Sequence, residues 1–175
     1  MKVLLAIDGS PDSNAAIEEI SRRPWPPDTE IRVLTAEPPV DPVLLRGASL
    51  TVFEEFDRQE RAKAFERLDT AIQTIRRGAP GLHVDYTLRA GRPKQVIVDE
   101  AEQWGADLIV LGAQGSGVLK RIFLGSVSLA VATAAPCSVE IVRRRIAGDP
   151  SATCGRAGQT NLSGESAVPP DQPHC

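Results

Sequence analysis

The residues of this sequence whose types and spacing suit chemistry lie in one glycine-rich stretch, residues 107–128. An apolar run at 108–111 predicts a buried strand, and small residues from 126 onwards predict a helix. A loop that runs from a strand into a helix can present backbone N–H groups to phosphate oxygens. The residues of this loop that suit such contacts are Gly112, Gly115, Gly117, Gly125 and Ser126.

Two well-known phosphate-binding loops do not fit this stretch. A Walker A loop places Lys and then Ser or Thr after its last glycine, whereas Val118 follows Gly117 here. A dinucleotide fingerprint needs a third glycine three residues after the second, and Lys120 stands at that position. The stretch therefore predicts either a phosphate loop of another type or a tight connection whose glycines bind nothing.

A second candidate loop follows the first apolar run, residues 3–7, and begins with Asp8. Its carboxylate could bind ribose hydroxyls, or a Mg²⁺ ion that bridges phosphates. The simpler alternative is that Asp8 caps the first helix or only ends the strand. Ser10 is a good N-cap and Pro11 suits the first helical position, so a helix is expected to begin there.

Apolar runs that alternate with helical patterns predict an α/β protein with a five-stranded parallel sheet, doubly wound, with helices on both faces. If the strands that precede the two loops are neighbours at the switch point, the strand order is 3-2-1-4-5, a Rossmann-like arrangement in which both loops face one crevice. A long helix is expected from about Phe53, with Phe65, Leu68, Ile72 and Ile75 on one helical face. Residues 40–52 are expected to form a loop.

The composition and length limit the class of protein. The chain has 175 residues, a formal net charge of −3 and 25% charged residues, which indicates neither a nucleic-acid binder nor a disordered chain. Two histidines and three widely spaced cysteines exclude a His-rich metal site and a disulfide framework. No apolar run approaches the ~20 residues that span a membrane, and no signal peptide is expected, so we expect a cytoplasmic protein.

The end of the chain differs in composition from the rest. From about Ala147, small and polar residues dominate and large apolar residues almost vanish. We expect one nucleotide-binding domain at 1–146 and a disordered tail at 147–175.

The spacing of Gly112, Gly115 and Gly125-Ser126 resembles the G-2x-G-9x-G-(S/T) nucleotide motif of the universal stress protein family, specifically its ATP-binding, universal stress protein A-like subgroup. The opening KVLLAIDGS, the strand ADLIVLG, the turn GSVS and the close APCSVEIV are also similar to that family. The resemblance covers about residues 1–145.

This resemblance implies an ATP-binding regulatory protein, with ADP or AMP as other ligands. Mg²⁺ at Asp8 stays one of the two uses of that carboxylate given above. It implies adenine contacts near the ends of strands 1 and 2, although each such apolar residue could equally be core. It also implies a homodimer through strand 5, with Val139 and Ile141, although Glu140 interrupts the apolar pattern there. The residues that the resemblance assigns to the nucleotide are Ala6, Ile7, Asp8, Ala36, Leu111, Gly112, Gly115, Gly117, Gly125, Ser126 and Val127.

Two other functions are compatible with the sequence. The segment Asp8–Ser13 loosely resembles the loop of ATP pyrophosphatases, although it lacks their paired glycines. No convincing general base or catalytic dyad is present, so slow ATP hydrolysis is the most that we expect. The third function is a protein-interaction module that binds no nucleotide, and the intact glycine spacing argues against it.

Overall fold

A computed structural model of the chain describes residues 1–39, 50–115 and 124–144. Strands and helices alternate throughout these residues, as the sequence predicts. None of the described helices is both long and apolar enough to cross a membrane. In chain order the elements are β1 (Lys2–Ala6), α1 (Pro11–Arg22), β2 (Glu30–Glu37), α2 (Leu50–Gly78), β3 (His83–Ala90), α3 (Pro93–Trp104), β4 (Leu108–Gly112), α4 (Ser126–Ala134) and β5 (Ser138–Val142).

The described strands form one parallel sheet with the order β3-β2-β1-β4-β5, which confirms the predicted fold class and strand order. β1 is the central strand, and its Leu5 lies between Val33 of β2 and Val110 of β4. The chain moves outwards through β2 and β3, then crosses to the other side of β1 to form β4. This reversal separates the loops after β1 and β4 and leaves a crevice between them, where ligands bind in such sheets.

Helices cover both faces of the sheet, which explains why β1 is apolar at every position after Lys2 instead of alternating. Val3 and Leu5 are buried in a core cluster with residues of α1 and α2. Leu4 and Ala6 are buried in a second cluster with residues of α3 and α4. Burial on both faces fixes β1 at the centre and so fixes where the loop after it begins.

Two helix ends follow the capping residues that the sequence indicates. Ser10 is the N-cap of α1, because its Oγ accepts a hydrogen bond from the backbone N–H of Ser13 at 3.2 Å, and Pro11 is the first helical residue. Beyond α3, Gly105 adopts the left-handed conformation with a φ of 70°. Helix α1 therefore starts directly behind Asp8.

The long helix α2 differs from its prediction in two respects. It begins at Leu50, so residues 50–52 are helical and not part of a loop, while residues 40–49 lie outside the described part. Of the four apolar residues predicted to share one helical face, Leu68, Ile72 and Ile75 are buried, whereas Phe65 is 45% exposed. Phe65 lies against Tyr86 of the edge strand β3, with ring centroids 6.4 Å apart. No described strand lies beyond β3 to cover this flank.

A network of charged side chains attaches α3 to β2 and β3. Glu100 is 3% exposed and accepts hydrogen bonds from Arg32 Nη1 at 3.1 Å and Arg89 Nε at 2.8 Å. The Arg32 guanidinium lies over the Trp104 ring at 4.3 Å, and Lys2 Nζ lies 5.5 Å from the same ring. The carboxylate of Glu100 is thus buried between two arginines.

The predicted disordered tail lies outside the described residues and stays a prediction. Removal of residues 147–175 should leave the melting temperature nearly unchanged, because a segment with few large apolar residues buries little surface. Differential scanning calorimetry of the full and shortened chains tests this. A fall of more than about 4 °C would contradict the prediction, since such a shift corresponds to about 1 kcal/mol or more of stability.

Candidate functional site

The carboxyl ends of β1 and β4 open into a cleft with a cavity volume of about 210 Å³. Ten of the eleven residues assigned from the sequence line this cleft, and the other, Gly117, lies outside the described residues. The strand ends contribute Ala6, Ile7, Asp8, Ala36 and Leu111. The loop after β4 and the start of α4 contribute Gly112, Gly115, Gly125, Ser126 and Val127.

Asp8 is exposed at the mouth of the cleft, and its two carboxylate oxygens have different surroundings. Oδ1 accepts a hydrogen bond from the Ser10 N–H at 2.9 Å, so it stabilises the turn before α1. Oδ2 lies near Gly115, where a Cβ atom would come within 2.8 Å of it. Because Ser10 is the N-cap, the alternative that Asp8 caps α1 is not needed, and Oδ2 is directed towards the glycine loop.

Gly112 is required for close packing. The sequence suggests that it lets the chain turn tightly, but its φ is not in the left-handed region. A Cβ atom on Gly112 would instead lie 2.6 Å from the Ser13 backbone nitrogen and 2.7 Å from the Asp12 carbonyl carbon. The end of β4 therefore touches the backbone of α1, and this contact holds the two loops together.

The start of α4 closes the other side of the cleft. Gly125 is its N-cap and has no side chain that could accept a hydrogen bond from the first N–H groups of the helix. The Gly125 N–H donates to the Ala113 carbonyl at 2.8 Å. Ser126 is the first residue of α4 and is exposed at the cleft. Ser128 is buried, and its hydroxyl donates to the Gly112 carbonyl at 2.8 Å. The first turn of α4 thus presents backbone N–H groups and a positive dipole end to the cleft.

The opposite half of the cleft is apolar. Besides Ala6 and Ala36, it includes three residues that the sequence does not single out: Leu34 from β2, and Pro93 and Ile97 from α3. The four-residue spacing of Pro93 and Ile97 puts both on one helical face, but the sequence does not show that this face meets the end of β2. An apolar recess opposite a helix N-terminus suits a ligand with a flat ring at one end and an anion at the other.

Charge is scarce around the cleft. Among the lining residues that the structure describes, Asp8 is the one with a formal charge. The loop cations Lys120 and Arg121 lie outside the described residues. No group of three His, Cys, Asp or Glu side chains that could hold a metal occurs in the described part. A Mg²⁺ ion here would have Asp8 as its protein ligand and would need phosphate oxygens to complete its coordination.

Asp12 does not line the cleft, but it supports the lining residue Gln114, and the sequence does not reveal this contact. It is 7% exposed, and its Oδ2 accepts a hydrogen bond from the Gln114 N–H at 3.1 Å. The Ser10 hydroxyl donates to the Gln114 carbonyl at 3.0 Å, which holds the same segment from the other side. An acidic residue in the first turn of a helix is common because of the helix dipole, so the sequence indicates nothing more than a helix start.

Cys137 lies outside this cleft and is half-buried. Burial raises the pKa of its thiol, with Asp107 adding to the rise. The thiol therefore stays protonated at neutral pH, which agrees with a packing role and not with a nucleophile.

Comparison with known proteins agrees with this geometry. The model of the universal stress protein family matches residues 1–143. A universal stress protein of Thermus aquaticus is 34% identical over 143 residues, which are 81% of this chain and 97% of that protein. A solved universal stress protein in complex with cAMP has a TM-score of 0.59 at 23% identity, over 81% of this chain and 95% of its own. A family member from Arabidopsis thaliana with AMP bound has a TM-score of 0.59 at 22% identity, over 86% of this chain and 96% of its own.

Proposed function

The chain belongs to the universal stress protein family, and we propose that it is a regulatory protein that binds an adenine nucleotide in the cleft at the ends of β1 and β4. The observation that carries the proposal is the pairing of an apolar recess with a glycine-lined helix N-terminus in one cleft. Two solved relatives with this fold hold cAMP and AMP.

In the proposed complex the adenine ring lies in the apolar half, against Ala6, Ala36 and Ile97. Ring burial there is favourable because these side chains have no polar groups that would lose water. Asp8 Oδ2 is free of the turn contact made by Oδ1, and it would accept hydrogen bonds from ribose hydroxyls. The phosphates would then reach Gly115, Gly125 and Ser126, where N–H groups and the α4 dipole stabilise negative charge.

We propose ATP with Mg²⁺ as the resident ligand, and ADP or AMP as its competitors. The charge around the cleft supports a metal-bound triphosphate, because the described lining offers no cation to offset several phosphates and Asp8 adds a negative charge. Asp8 would hold a Mg²⁺ ion, whose two positive charges would offset part of the negative charge of the phosphates. Mass spectrometry of natively purified protein would identify the co-purifying nucleotide.

Gly115→Val should weaken the binding of both AMP and Mg-ATP at least about 100-fold. A side chain at this position points at Asp8 Oδ2 and fills the space in front of the loop. Loss of one or two hydrogen bonds to a charged phosphate removes about 3 kcal/mol of binding free energy, which is a factor of about 100. Isothermal titration calorimetry measures the affinities of the wild-type and variant chains.

Gly81→Val is the matched control for this variant, because a Cβ at Gly81 meets no atom within 4 Å. It should bind both nucleotides as tightly as the wild type. Undiminished binding by Gly115→Val would contradict the assignment of Gly115 to the phosphates. Absence of binding to the wild type would contradict the proposed function.

The proposed regulatory action involves a homodimer through β5, which lies at the edge of the sheet. Glu140 is held by Arg23, the residue just after α1, which donates to both of its carboxylate oxygens, at 2.7 and 2.6 Å. Val139 and Ile141 are half-buried on the opposite face, beside α3 and α4. The unpaired backbone of β5 would add a strand from a second copy. Sedimentation equilibrium tests this, and a monomer at ~100 μM would contradict it.

An ATP-using enzyme is the second candidate function. Asp8 is the one charged side chain of the described lining, and one of its oxygens already serves the turn before α1. Turnover of Mg-ATP above roughly 1 s⁻¹, within the usual range of enzymes, would favour the enzyme over the binding protein. The third candidate, an interaction module without nucleotide, requires that no adenine nucleotide binds at millimolar concentration.

A further inference from the structure

We infer that Asp12 is a positioning residue whose carboxylate joins the glycine loop of the cleft to the end of the edge strand β5. The two ends of this connection are the Gln114 N–H, beside the cleft, and the Arg144 N–H, just after β5. A ligand in the cleft and the position of β5 would then influence each other. This second part depends on the proposed nucleotide binding, whereas the positioning role does not.

The contacts of Asp12 differ from those of an ordinary helix-start residue. Oδ2 accepts from Gln114 at 3.1 Å, and Oδ1 accepts from Arg144 at 3.3 Å. Each oxygen thus holds a different segment of chain, and both segments are more than a hundred residues away in sequence. A residue that served only the helix dipole would need neither contact.

Burial makes these contacts important for the conformation. Asp12 is 7% exposed, and its carboxylate accepts hydrogen bonds from two backbone N–H groups on other segments of the chain. These N–H groups and the N-terminus of α1 stabilise its negative charge. If either N–H moved away, a buried carboxylate oxygen would lose its partner, which is unfavourable.

Backbone contacts around Asp12 join the same three segments of the chain. Gly112 touches the Asp12 backbone, and the next residue, Ala113, donates its N–H to the Val142 carbonyl of β5 at 2.7 Å. The glycine loop, the start of α1 and the end of β5 therefore form one hydrogen-bonded unit around Asp12. Gln114 and Gly115 also line the cleft, so a ligand that shifts the loop must act on this unit.

An asparagine at position 12 separates the positioning role from charge and size. Its side chain has nearly the same shape, but it has one acceptor oxygen and presents an NH₂ group where the second oxygen was. Asp12→Asn can therefore keep one of the two contacts and must lose the other. Asp99→Asn is the matched control, because Asp99 is an exposed residue of α3 and the change in charge is the same.

The test measures amide hydrogen exchange by NMR on the ¹⁵N-labelled full chain without ligand. In Asp12→Asn, the Gln114 or the Arg144 amide should exchange about tenfold faster, because a hydrogen bond to a charged group contributes about 1.5 kcal/mol or more. Asp99→Asn should leave both amides unchanged. Wild-type exchange at both amides in Asp12→Asn would overturn the inference.

AMP is then added to the wild type and to Asp12→Asn. The wild type should show slower exchange at Arg144 as well as at Gln114, and the variant should lose the effect at one of them. A bound nucleotide that leaves Arg144 of the wild type unchanged would overturn the coupling. Absence of AMP binding to the wild type would refute the proposed function, and the ligand-free comparison would still decide the positioning role.

A measurement on the wild type keeps the test decisive if the variant does not fold. Scalar couplings across the two hydrogen bonds, from the Gln114 and Arg144 amide nitrogens to the Asp12 carboxyl carbon, should be detectable. Their absence, together with fast exchange of both amides, would overturn the inference.

Discussion

Replacement of Gly112 by alanine should lower the free energy of unfolding by about 3 kcal/mol, near the upper end for overpacking a well-packed site. The added methyl group would lie 2.6 Å from the Ser13 nitrogen and 2.7 Å from the Asp12 carbonyl carbon. Both are backbone atoms, so no side chain can rotate away to make room. The end of β4 and the start of α1 must separate, and the hydrogen bond from Ser128 to the Gly112 carbonyl weakens with them.

Urea denaturation followed by circular dichroism measures this loss. Gly81→Ala is the control, because a methyl group there meets no atom within 4 Å and its stability should change by less than about 1 kcal/mol. If Gly112→Ala unfolds at the same urea concentration as the wild type, the backbone contact between β4 and α1 is not as close as described.

Replacement of Glu100 by alanine should lower the free energy of unfolding by about 3 kcal/mol, because it removes the buried acceptor of two hydrogen bonds between charged groups, each worth about 1.5 kcal/mol. Arg32 has a side chain that is 24% exposed, and its Nε is already buried without a hydrogen-bond partner. Without the carboxylate, Arg32 and Arg89 would also repel each other. Glu100→Gln should lose less stability, since its amide oxygen can still accept a hydrogen bond from one arginine.

Glu102→Ala is the matched control on the same helix, because Glu102 is exposed. Its stability should differ from that of the wild type by less than about 0.5 kcal/mol. Equal stability of Glu100→Ala and Glu102→Ala would show that the network does not hold α3 on the sheet. Nucleotide affinity is a second measurement, since Pro93 and Ile97 of α3 form one wall of the cleft.

The sheet was predictable because its signals are local. The continuous apolar residues of β1 and β4 indicate strands covered on both faces, and Ser10-Pro11 marks the start of a helix. Once two glycine-containing or acidic loops follow such strands, the rule for parallel sheets brings them to one crevice. Residues at strand ends, such as Asp8 and Leu111, could therefore be assigned to the cleft before any coordinates.

The remaining features depend on contacts between distant segments. Asp12, Gln114 and Arg144 meet only after the sheet has formed, and no spacing in the sequence links them. The same is true of Glu100 in α3, whose partners lie on the strands β2 and β3. Gly112 was identified as necessary for the wrong reason, because a glycine needed for a close approach and a glycine needed for a turn have the same sequence signal.

The cationic surroundings of Trp104 have a consequence for spectroscopy. Trp104 is the last residue of α3 and Pro93, at the cleft, is the first, so a helix of 12 residues, about 18 Å long, separates them. The indole lies against the side chains of Arg32 and Lys2, and unfolding of the sheet separates both of them from the ring. Its emission should therefore change sharply on unfolding and hardly at all when the cleft is filled. Trp104 thus reports the integrity of the sheet, while a nucleotide in the cleft would need an extrinsic label to be followed by fluorescence.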